Sequence, residues 1–125
     1  MGRDIFLVGI GGFAGSVARY LVYLIFAGQN ASAFPYATFS VNILGCFLIG
    51  AVFGLGERND LLTPELRLLL ATGFCGGFTT FSAYSIESVG LMQRGEFGFA
   101  AAYIVLSVVA GVAATFGAIA LLRAL

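Results

Sequence analysis

Gly73-Phe-Cys-Gly-Gly-Phe-Thr-Thr-Phe-Ser-Ala-Tyr84 places glycines and hydroxyl side chains in the middle of an otherwise lipid-soluble segment. A segment this apolar should run as an uninterrupted helix. Here Gly76 and Gly77 stand beside Thr79 and Thr80 about halfway along it. Backbone that leaves the helix at such a depth needs new partners for its polar groups, and protein or an ion must supply them. A break over 76–80 is therefore expected, and with it the functional centre.

Outward from this stretch, the 125-residue chain is 60% hydrophobic and 10% charged, outside the range of soluble domains. Its six arginines and six acids gather in clusters at 3–4, 57–67, 94–96 and 123. Only Arg19 and Glu87 stand well inside apolar runs. A membrane-spanning helix needs about 20 mostly apolar residues, and four such segments are predicted, at about 4–27, 35–56, 64–93 and 97–123. The expected fold is an all-α membrane protein of four transmembrane helices, the third broken near its middle. Gly28-Gln29-Asn30 reads as a turn, and Pro35 suits the first turn of the second helix. Thr63-Pro64-Glu65 reads as an N-cap, a first-turn proline and an acid at the positive helix end. Arg94-Gly95-Glu96 is a tight turn, so successive helices run antiparallel.

With no lysine, no histidine and zero net charge, nothing points to nucleic acid or to a basic membrane-surface patch. An enzyme would need a nucleophile–base pair or a metal-ligand cluster, and neither is present in the pattern. Cys46 and Cys75 both fall in apolar segments and read as small buried hydrophobes. The glycine-rich Ile5–Ser16 resembles a dinucleotide turn only superficially. No acid occurs between Asp4 and Glu57 to hold a ribose, so the glycines read as helix-packing residues. Gly11 and Gly15, Gly50 and Gly54, and the small residues of 110–118 have the spacing that lets helices approach closely in lipid. Four helices leave little room for a water path within one chain, so an oligomer is expected, with the path at an interface.

The candidate chemistry is neutral. Asn42 offers two N–H donors in mid-helix, with Thr38 one turn before it on the same face; it could equally bond a neighbouring helix. Tyr103, Ser107, Gly111 and Thr115 recur every four residues as one stripe, and Ser82 and Ser85 follow the break. Together these form a track of donors that could replace the water around an anion, although hydroxyls often bond back to the preceding turn instead. Phe81 and Tyr84, three apart, share a helix face. They could be packing residues, or their positive ring edges could favour a small anion without trapping it. Arg19 could snorkel, or attract anions at a pore vestibule. Glu87 could pair, snorkel or carry protons.

The motifs Gly11-Gly-Phe-Ala-Gly-Ser-Val-Ala-Arg-Tyr20, Thr38-Phe-Ser-Val-Asn-Ile-Leu-Gly45 and Gly73-Phe-Cys-Gly-Gly-Phe-Thr-Thr-Phe-Ser82 together resemble the Fluc (CrcB-type) fluoride channels, over nearly the whole chain. The resemblance implies a homodimer of oppositely inserted subunits in a prokaryotic inner membrane, passively exporting fluoride. It further implies a structural sodium ion at the dimer centre, held by the backbone carbonyls of Gly76 and Thr79. It places the pore asparagine at Asn42, pore aromatics at Phe81 and Tyr84, the polar track at Tyr103, Ser107 and Thr115, and the first-helix arginine at Arg19. Tyr84 stands where the family typically has Phe, and Gly111 removes one possible hydroxyl from the track.

The arginine count pulls against opposed insertion. Arg3, Arg58, Arg67 and Arg123 share one side and Arg94 lies on the other, which taken alone favours a cytoplasmic N-terminus. The rival function is a small four-helix multidrug exporter, which needs a membrane-embedded carboxylate. Only Glu87 could serve, and it lies far along the third helix.

Overall fold

The computed structural model describes residues 1–28, 33–58 and 62–125, and the described residues are helical apart from short turns and one extended step. Helix α1 is Gly2–Phe26 and α2 is Tyr36–Arg58. The third segment is composite: α3 (Pro64–Arg67), a π-helical run over Leu68–Cys75, α4 (Gly76–Phe78) and, after the break, α5 (Phe81–Gln93). Helix α6 is Phe97–Ala124. Among the described residues, α1, α2 and α6 are each long and apolar enough to cross a membrane. The third segment makes a fourth apolar limb but is divided into shorter pieces. The expected turn at 28–30 and the middle of the 57–63 linker lie partly outside the described residues.

The caps follow local chemistry. Thr63 Oγ1 accepts the Leu66 N–H at 3.2 Å, with Pro64 opening α3 where a missing N–H costs nothing. Gly95, at φ +76°, makes the tight reversal between α5 and α6, a conformation that suits glycine.

The break is narrower than the sequence suggested, and it is not made by the glycines. Gly76 and Gly77 are helical, whereas Thr79 (φ −82°, ψ 160°) and Thr80 (φ −151°, ψ 119°) are extended. β-Branched residues accept that conformation readily. Gly77, with Gly73 a turn before it, serves another purpose. A Cβ at Gly77 would strike the Gly12 backbone, and one at Gly73 would lie 2.9 Å from the Gly11 Cα. Backbone therefore meets backbone where α1 crosses the π-helical run and α4, the close approach that holds helices together in lipid.

The second strong pairing is α2 along α6. Between them and α5 lies a small core of Leu91, Ala100 and the fully buried Tyr103, with Phe39 and Tyr84 packed against it. Much of the remaining apolar surface faces outward, including Phe13, Phe81 and Phe116. A bundle greasy on its outside belongs in a bilayer or against another apolar surface.

At one end the arginines are tied within the chain. Arg3 pairs with Glu65 at 2.9 Å and Arg123 with Glu57 at 2.6 Å. Arg58 donates to the Leu122 carbonyl at 3.3 Å and Arg67 to the Gly56 carbonyl at 3.1 Å.

Candidate functional site

The break is closed by one side chain. Asn42 Nδ2 donates to the Thr80 carbonyl at 3.0 Å, and Asn42 Oδ1 accepts the Thr80 N–H at 2.8 Å. The carboxamide thus matches the peptide group edge to edge, giving the Thr80 N–H the partner that the missing turn removed and a further donor to the carbonyl that opens α5. Thr80 then caps α5, its Oγ1 accepting from the Ala83 N–H at 3.2 Å. Thr79 folds back, donating its hydroxyl to the Cys75 carbonyl at 2.9 Å.

Carbonyls of the turn before the break lose their usual donors in consequence, those of Gly76 and Thr79 among them. The Thr80 N–H, which a continuous helix would give to Gly76, goes to Asn42. The Ala83 N–H, which would go to Thr79, goes to the Thr80 hydroxyl. Gly76, Thr79, Asn42, Cys46 and Phe81 line one open concavity of about 380 Å³ beside the break. Asn42 has one amide hydrogen beyond the one it gives to Thr80. Phe81, 79% exposed, stands at the same place with its ring 5.6 Å from that of Tyr84, the two inclined at 49°. The Tyr84 hydroxyl is not directed there. It donates to the Ile104 carbonyl on α6 at 3.0 Å, so what this residue presents beside Phe81 is its ring. Ser85 is exposed on the next turn of α5.

A second constellation centres on Glu87. Thr38 donates to its Oε2 at 2.9 Å and Tyr103 to its Oε1 at 2.9 Å. Tyr23 lies 2.7 Å from the Thr38 hydroxyl and, with the Thr38 hydrogen given to the carboxyl, is the donor of that pair. Four helical pieces (α1, α2, α5 and α6) therefore meet through one carboxyl group, and Thr38 and Tyr103 are fully buried in doing so. Sequence reasoning treated Thr38 and Tyr103 as donors to a passing ion and missed their common acceptor, as it missed Tyr23. The usable signal was chemical: an acid inside an apolar run with no ion-pair partner needs hydroxyl donors.

The α6 stripe divides into three environments. Tyr103 belongs to Glu87. Thr115 donates to the Cys46 carbonyl at 3.0 Å and lies 3.1 Å from that of Gly111. Ser107 has a buried hydroxyl oxygen with no hydrogen-bond partner among the described residues. Ser107, Gly111, Thr115 and Cys46 share a second open groove of about 410 Å³. Arg19 is half-buried on α1, with no hydrogen bond or ion pair to another described residue. Both cysteines are free thiols, Cys75 buried and Cys46 half-buried.

Comparison with known proteins gives this geometry a context. A family model described as CrcB-like protein, Camphor Resistance (CrcB), matches residues 6–119. A Chlorobaculum tepidum protein named fluoride-specific ion channel FluC is 54% identical over 114 residues, 91% of this chain and 90% of its own. Proteins of the same name from Prosthecochloris aestuarii and Flavobacterium psychrophilum are 50% and 46% identical, covering 95% and 91% of this chain and 92% of each relative.

Proposed function

The chain belongs to the CrcB-like family, and from that premise we propose that it forms a passive, fluoride-selective path across the membrane, lowering fluoride on the cytoplasmic side. The single observation that carries the reading is the break held by Asn42, which sets a spare amide hydrogen and the exposed Phe81 ring at one concavity. Neutral donors and ring edges bind a small anion loosely enough to release it, as conduction requires. Ser107 adds a donor whose hydrogen is not committed elsewhere, and Arg19 would draw anions toward the mouth.

The functional unit in this reading is a homodimer of oppositely inserted subunits in a bacterial inner membrane. A second copy would cover the concavity beside the break and the exposed Phe81. The carbonyls of Gly76 and Thr79, deprived of helical donors and lining that one concavity, fit a structural sodium ion at the dimer centre. There the ion would neutralise lone pairs that hydrocarbon cannot satisfy.

Purified protein in liposomes is expected to release fluoride rapidly and chloride negligibly. Equal rates for the two anions would defeat the reading. Tags on both termini, probed from each side of the membrane, are expected to be reached from both; labelling from one side only would sink the opposed dimer.

A further inference from the structure

The hydroxyl row on α6 is interrupted at Gly111, and another element fills the gap. A Cβ built on Gly111 would lie 3.2 Å from the Cys46 sulfur, so the thiol of α2 sits directly on the glycine. One turn later, the Thr115 hydroxyl donates to the Cys46 carbonyl at 3.0 Å and ties that stretch of α2 to α6. One turn earlier, Ser107 keeps its buried, unpartnered hydroxyl oxygen in the same groove. Cys46 is also the residue common to both concavities, that of Asn42 and Phe81 and that of Ser107 and Thr115.

We propose that the Cys46 thiol is a pore-lining group, supplying the donor that α6 lacks at Gly111 and joining the concavity at the break to the groove along α6. The inference rests on the fluoride-channel reading and adds to it a residue from a different helix. An S–H group donates weakly. Placed between Ser107 and Thr115, it offers an anion a stepping point without a deep well, which suits a path that must release what it binds.

Fluoride efflux from liposomes tests this. Cys46→Ser is expected to stay within about twofold of the unmodified protein, and Cys46→Ala to fall about fivefold, the effect of losing one hydrogen bond of about 1 kcal/mol. Cys46→Ala combined with Gly111→Ser is expected to recover most of that loss, because removing the sulfur frees the space a side chain at 111 needs. Unchanged efflux in Cys46→Ala overturns the proposal, as does a loss that neither serine variant recovers. Silver ion gives a test that leaves Cys46 intact. In a Cys75→Ala background, silver replacing the thiol proton on Cys46 should abolish efflux, and Cys75→Ala with Cys46→Ser should be insensitive. Silver-insensitive efflux with Cys46 present overturns the proposal. Absence of fluoride efflux from the unmodified protein would bring down the channel reading as well.

Discussion

The side chain of Asn42 and the main chain of Thr80 form a paired amide contact, each giving one hydrogen bond and taking one, at 3.0 and 2.8 Å. Asn42→Ala would leave the buried Thr80 N–H unpaired and take one donor from its carbonyl, at a place where water is scarce. A destabilisation of about 1–3 kcal/mol is expected, together with loss of fluoride flux. Asn42→Asp keeps an acceptor for the Thr80 N–H but sets a carboxylate oxygen against the Thr80 carbonyl, so it should cost at least as much as Asn42→Ala. Denaturation midpoints in detergent check this, and an unchanged midpoint for Asn42→Ala would refute it.

The hydroxyls on Glu87 should behave as one unit. Thr38→Val and Tyr103→Phe each remove a donor to the same carboxyl group. In a Glu87→Ala background the same substitutions should cost much less, with a coupling of about 0.5–3 kcal/mol in a double-mutant cycle. Additive costs would show that the three residues act independently.

Tyr84 separates ring from hydroxyl. Tyr84→Phe removes the bond to the Ile104 carbonyl and keeps the ring beside Phe81. Stability should drop by about 0.5–1.5 kcal/mol while fluoride flux is retained. Tyr84→Ala should lose flux. Equal flux in the two variants would remove the ring from the path.

Glycines two residues apart on α1 should differ sharply. Gly11→Ala places a methyl against the Leu69 carbonyl and the Gly73 backbone, whereas Gly9→Ala meets nothing within 4 Å. Overpacking at Gly11 is expected to cost about 1–3 kcal/mol. Gly9→Ala should be neutral or gain as much as about 1 kcal/mol from helix propensity. Similar midpoints would contradict the close crossing of α1 with the third segment.

The number and order of the helical segments were legible from hydropathy, and an interruption in the third was legible from its glycines and threonines. Its place was not. Gly76 and Gly77 signal weak helix, but both stay helical, and Gly77 is recruited to pack on α1, a demand set by tertiary contact and invisible in one segment's composition. The π-helical run Leu68–Cys75 leaves no mark in a periodicity read at 3.6 residues per turn. Asn42 was singled out by its type, yet its partner lies 38 residues away. Thr38, Tyr103 and Glu87 were each noticed separately, because a polar stripe reveals a face but not what faces it.

The pairing of residue 42 with residue 80 also bears on biogenesis. The chain is made from its N-terminus, so the helix carrying Asn42 enters the bilayer before the extended Thr79–Thr80 step emerges. The interrupted segment never has to lie in lipid with its peptide groups bare, because the side chain that mates with them is already in place. Moving the third segment ahead of the second in a rearranged gene would take away that waiting partner, and the interrupted helix would have to insert alone.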